Sequence, residues 1–348
     1  MDRSFYLDLA TRDLRFPIGA DMVLHEREDP EACRLNGECL GQAILEAAQR
    51  FRMPLAFPLM DLRIEKEWML TALGIPPSEM DKFHFDDAIS DRQREILERV
   101  TETPETPRMR ASAEALSYVR DHGGDIIPVG MSIGPFSLMT KFLSDPITAV
   151  YQVGLDPEDE DAEKVTGLLE IATKVILSWI DLQVRAGAKA VCVCEPAYNT
   201  VYLSPKQLDE NPELAHELVL KHNLALKRNL EANGADMILH DCGELNETML
   251  RSFNTLDPPL LSLGSPCDLP EVVPFLKKDI VVMGNLPSKK FYTDSEMTEA
   301  QVTLTSQELL NQMRATGHPF ILGTECDVLC VTGCEEKIMR KVMALVNV

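Results

Sequence analysis

From residue 125 onward, short apolar runs rich in β-branched residues alternate with longer amphipathic stretches, and this alternation limits the fold more than any other feature. The runs are "DIIPVG" at 125–130, "AVCVCE" at 190–195, "DMILH" at 236–240, "LLSLG" at 260–264, "DIVVMG" at 279–284 and "PFILG" at 319–323. Their near-continuous hydrophobicity suits strands covered on both faces, as in a parallel sheet. Between them lie "EKVTGLLEIATKVILSWIDLQVRAG", "NPELAHELVLKHNLALKRNLEANG" and "EAQVTLTSQELLNQMRATG". Their apolar residues recur at three and four, and each ends in glycine, the usual C-terminal stop of a helix.

Two further strand candidates, "RFPIGADMVL" at 15–24 and "MPLAFPLMD" at 53–61, bring the number to eight, the count of a (β/α)8 TIM barrel. An open, doubly wound sheet is the competing arrangement. The stretches from about 25 to 52 and from 62 to 122 exceed single barrel helices and are expected to be helical additions. The whole chain, 1–348, is expected to be one barrel domain. The charge run "DPEDEDAEK" at 156–164 reads as a solvated loop and helix start.

Bulk properties exclude several classes of function. A formal charge of -22 opposes nucleic-acid binding, which needs basic groups to neutralise phosphates. No apolar stretch reaches the roughly 18 residues of a membrane span, and the N-terminus lacks the basic start and apolar centre of a signal peptide. The expectation is a cytoplasmic protein that binds neither membrane nor nucleic acid. Its nine cysteines are then expected to be reduced.

Two of those cysteines stand where a metal site would form. In a parallel barrel the active site is built from loops leaving the C-terminal strand ends, and "HDC" places His240 and Cys242 at such an end. Two residues apart, they point to the same side if the extended backbone continues through Asp241. Zinc accepts imidazole nitrogen and thiolate sulfur alike. The alternative is an ordinary strand end whose residues pack or hydrogen-bond. "PFILGTECDVLC" adds Cys326, three residues past the last strand candidate, followed by Cys330 and Cys334. The gaps of four differ from an iron–sulfur motif, and Cys326 is the best placed of the three. Cys192 and Cys194 alternate with valines and read as core.

The pairing of "LHDCG" with "ILGTEC" resembles the His-x-Cys…Cys zinc motif of the cobalamin-dependent methyltransferases in the uroporphyrinogen decarboxylase superfamily, among them the methylcobalamin:coenzyme M methyltransferases. "PVGMSIGPFSLMTKFL", "RAGAKAVCVCEP" and "VVMGNLPS" are similar to other family stretches, and the resemblance runs from about residue 50. It implies a (β/α)8 barrel, zinc held by His240, Cys242 and Cys326, and transfer of a methyl group from methylcobalamin to an activated thiol such as coenzyme M or to tetrahydrofolate. By the same resemblance Glu195 is either a fourth ligand or proton acceptor, or a salt-bridge residue at the barrel mouth. Asn285 either hydrogen-bonds substrate or ends a strand at a turn. Met131 and Phe136 either shape a corrinoid or substrate surface or pack the core.

Two departures from the family pattern matter. The arginine-rich Arg-Gln-x-Gly-Arg segment of the true decarboxylases is absent, which opposes the alternative of a metal-free tetrapyrrole decarboxylase. The Asp-x-His-x-x-Gly motif of a cobalamin-binding domain is also absent, so the corrinoid is expected to arrive on a separate protein. A barrel that binds a corrinoid partner or thiol without catalysis is the third reading.

Overall fold

The computed structural model describes residues 1–348. Its eight strands are β1 (Arg15–Ile18), β2 (Leu55–Ala56), β3 (Ile127–Ile133), β4 (Ala190–Cys194), β5 (Asp236–Asp241), β6 (Leu260–Leu263), β7 (Val281–Leu286) and β8 (Phe320–Asp327). All pair in parallel, in the order β1-β8-β7-β6-β5-β4-β3-β2. This is the expected (β/α)8 barrel, with its seam between β1 and β2, the two ends of the ladder. Strand residues alternate between two cores. Met131, Cys192, Cys194, Ile238 and Met283 fill one with the barrel interior, whereas Val191, Val193, Met237, Leu239 and Val282 meet the outer helices. Burial on both faces is why the runs read as continuously apolar.

The strand at 15–24 stops at Ile18, and Ala20–Leu24 is helical. Pro17 has no N–H to donate, and the β1–β8 register shifts there. In 53–61 only Leu55 and Ala56 pair, because Pro54 and Pro58 flank them and cannot extend the ladder as donors. At the other end, β8 runs on to Asp327, so Cys326 lies within a strand rather than beyond one.

Within 25–52 and 62–122, the helices Gly37–Arg50 and Pro107–His122 follow β1 and β2 and pack against each other as barrel helices. The additions are the shorter helices Pro30–Arg34, Ile64–Ala72, Pro77–Met80 and Asp91–Glu98. Cys33 and Cys39 form a disulfide, contrary to the expectation of reduced thiols. The short link between Pro30–Arg34 and Gly37–Arg50 brings their Cα atoms to 5.2 Å, within bridging reach.

The N-terminal helix Arg3–Thr11 closes the barrel end opposite the expected site. Arg3 pairs with Asp257 at 2.8 Å, and the Tyr6 hydroxyl donates to Asp236 at 2.9 Å. The acidic run begins the helix Glu160–Ala186, with Asp159 as its N-cap. Carboxylates there suit the positive end of the helix dipole. No helix is long and apolar enough to cross a membrane.

Candidate metal centre

β5 carries His240 on the same face as Ile238, so its ring points into the barrel at the C-terminal end. Cys242 follows one residue past the strand. β8 contributes Cys326 from three places along the ladder, a separation that only the barrel's curvature can bridge. The ligand atoms of His240, Cys242 and Cys326 all lie within 4.8 Å of one another. Gly264 permits this approach, since a Cβ there would lie 2.6 Å from the Cys242 Cα.

His240 is positioned by its neighbour in register. Ser262 stands opposite it on β6, with its Oγ 2.9 Å from Nδ1. The neutral tautomer protonated at Nδ1 donates to this hydroxyl and leaves the lone pair on Nε2. That Nε2 is buried and has no partner. An unpaired buried polar atom costs free energy and calls for a ligand.

The two thiols act on each other. The Cys326 thiol holds Cys242 down at about 4, with His240 adding to the effect against the opposing burial. The same contact with Cys242, then burial, pushes Cys326 up. For His240, burial works to lower the pKa, but the nearby Cys242 sulfur and its charge leave it raised. One imidazole and two sulfurs, one already a thiolate, match the donor set of a zinc site with three protein ligands and an open position. The residues present therefore fit zinc.

The other nominated residues lie outside this cluster. Glu195 is not among the converging donors and forms no salt bridge. Its Oε2 accepts from the Ser137 N–H at 2.9 Å. Its Oε1 accepts from the Phe136 N–H at 3.2 Å and from Asn223 Nδ2 at 2.8 Å. It thus caps the helix Pro135–Thr140. Gly134 leaves the room, since a Cβ there would meet the carboxylate carbon at 2.0 Å. Phe136 is fully buried and packs edge-on against Tyr202. Asn285 spends its Nδ2 donor on the Gly264 and Cys267 carbonyls, at 2.9 and 2.7 Å. Met131 is buried, with its Sδ 3.4 Å from Cys194 Sγ. Cys192 and Cys194 are core residues. Cys330 and Cys334 sit half-buried in the loop after β8, outside the cluster.

Three residues at the site escaped sequence reasoning. Met60 Sδ and Asp327 Oδ1 each lie 3.3 Å from Cys326 Sγ, and burial raises Asp327 to about 6. Ser262 is the third, and it left a signal as the one hydroxyl in an otherwise apolar strand. Met60 left none, because its loop meets β8 only across the closed barrel.

Comparison with known proteins agrees with this architecture. The family model for uroporphyrinogen decarboxylase (URO-D) matches residues 22–347. No curated protein matches the chain. Among solved structures, a methyltransferase from Methanosarcina mazei is similar with a TM-score of 0.68 and 14% identity, over 97% of this chain and 94% of that one. A putative vitamin-B12 independent methionine synthase from Listeria monocytogenes has a TM-score of 0.47 and 13% identity, over 89% of this chain and 86% of that one. At 14% identity the Methanosarcina likeness speaks to the fold alone.

Proposed function

The chain belongs to the uroporphyrinogen decarboxylase family, and on that premise we propose that it is a zinc-dependent methyltransferase, moving a methyl group from a methylated corrinoid on a separate protein to a small acceptor. The acceptor is a thiol such as coenzyme M, or tetrahydrofolate. One observation carries the reading: His240, Cys242 and Cys326 converge at the barrel mouth with Nε2 of His240 buried and unpartnered.

When bound, zinc supplies the positive charge that keeps an acceptor thiol deprotonated near neutral pH, where a free thiol with pKa near 8.5 is mostly protonated. The protein's own groups set the rest. Ser262 holds the imidazole in the tautomer that presents Nε2. A divalent ion held by Cys242 and Cys326 as thiolates and by His240 as neutral imidazole would have its charge balanced, and an acceptor sulfur beside it would keep its electron density. Met60 packs its thioether against Cys326 at 3.3 Å, giving that sulfur an apolar neighbour.

Metal content tests this directly. Protein grown with ample zinc is expected to hold about one zinc per chain, and Cys242→Ala to lose it. Zinc-free wild type would sink the reading. Methyl transfer from free methylcobalamin to a panel of thiols and tetrahydrofolate identifies the acceptor. No transfer by zinc-replete protein favours a binding role instead.

A further inference from the structure

A groove runs along the last helix, Glu335–Val346, and shares no residue with the metal centre. It holds about 690 Å³. The helix turns Ile338, Val342 and Leu345 into the core and gives the groove two rows spaced by four, Glu335-Met339-Met343-Asn347 and Glu336-Arg340-Ala344. The groove therefore follows the helix for its full 12 residues, a length of about 18 Å. Its walls are Met22 and Glu26 after β1, and Glu299 and Thr303, one turn apart on the helix Glu299–Thr316.

The floor is made of thioethers. Met22 is buried, while Met339 and Met343 are half-buried, and methionine adapts its shape to varied apolar partners. The rim is acidic, with Glu26, Glu299, Glu335 and Glu336. Two cations answer these four carboxylates. Arg50 bonds Glu26 at 2.6 Å, and Arg340 reaches Glu299 at 3.8 Å and Glu336 at 3.9 Å. Arg50 also serves Glu46, which Arg27 neutralises in turn at 2.7 Å. Glu335 forms no salt bridge and accepts from the Gly333 N–H at 2.9 Å. With every salt-bridge partner counted, the rim keeps a negative excess.

A second copy of a chain of charge -22 would set acidic surface against acidic surface, and a neutral apolar molecule would leave the carboxylates unused. An amphipathic helix uses both parts, its apolar stripe on the floor and its basic flanks on the rim. We propose that this groove docks a basic amphipathic helix of a partner protein, with aliphatic side chains on Met22, Met339 and Met343 and lysines or arginines on Glu299, Glu335 and Glu336.

The test titrates the full chain into three labelled helical peptides of about 12 residues, the length of the groove, and follows fluorescence anisotropy. One carries a leucine stripe flanked by lysines, the second the same stripe flanked by glutamates, and the third the lysines with serines for leucines. The first is expected to bind, the second not, and the third at least about tenfold more weakly. The pair Met339→Gln and Met343→Gln should weaken the first peptide about tenfold. Glu335→Lys with Glu336→Lys should do the same, and serves if the methionine variant does not fold. Glu158→Lys with Glu160→Lys makes an equal change of charge at exposed positions outside the groove and should leave binding close to wild type. The proposal is overturned if no peptide binds, if the glutamate or serine peptide binds as well as the first, if a folded groove variant binds as wild type does, or if the control pair weakens binding equally. Sedimentation covers the remaining occupant: a wild-type dimer that the methionine pair splits would give the groove to a second copy and overturn the proposal.

Discussion

Replacing Glu195 with alanine separates a ligand from a helix cap. In the structure the carboxylate satisfies three buried donors, the N–H groups of Phe136 and Ser137 and the Nδ2 of Asn223. Alanine leaves the two N–H groups unpaired and Asn223 Nδ2 with only the Val219 carbonyl, at 3.1 Å. A buried donor without an acceptor costs about 1–3 kcal/mol, and loss of an N-cap alone about 1 kcal/mol. Against this stands relief of the carboxylate's own burial, which raises its pKa and opposes its charged form. The net expectation is a loss of about 3 kcal/mol. Urea denaturation should show a lower midpoint with an unchanged slope, the mark of altered stability rather than an altered denatured state. Zinc per folded chain should equal wild type, because no ligand atom has been touched. A variant with wild-type urea midpoint and no zinc would refute the assignment and return Glu195 to the metal.

Two further outcomes follow from the same geometry. Ser262→Ala removes the partner of His240 Nδ1 and should lower zinc affinity about 10–100-fold, measured by competition with a chromophoric chelator; unchanged affinity would show that the hydroxyl does not orient the ring. Glu65, fully buried, is raised from 4.5 to about 7, chiefly by burial, with the Ser132 hydroxyl and Ile133 N–H pulling the other way. A carboxyl whose folded pKa lies above its unfolded one makes folding take up a proton, so its contribution is full below about 4.5 and is lost as pH rises through 7. The loss is about 3 kcal/mol at most, and Glu65→Gln should flatten that part of the stability profile; an unchanged slope between pH 5 and 8 would assign it to other groups.

Most of the barrel was legible because strand and helix periodicities are local properties of the chain. Six of the eight strands fall on the apolar runs from residue 125 onward. The two N-terminal ones shrank to four and two residues, since prolines remove ladder donors that hydrophobicity alone does not register. His240 and Cys242 were legible for the same local reason: neighbours two apart on an extended chain share a side wherever the strand goes.

Cys326 was nominated by its place after the last run, but its meeting with the other two depends on curvature summed over β5 to β8. Glu195 shows the reverse case. Its position at a strand end is a local fact, yet its partners come from Gly134–Ser137 and Asn223, which only packing brings to it. The sequence by itself determined the repeating βα units and nominated a barrel over an open sheet, because backbone sterics and side-chain alternation act between near neighbours. Only the tertiary structure decided which groups converge on His240 Nε2, that Glu195 serves a helix, and that Met60 and Asp327 flank Cys326. Those distances are set by how eight strands close on one another, and no short stretch of chain contains that information.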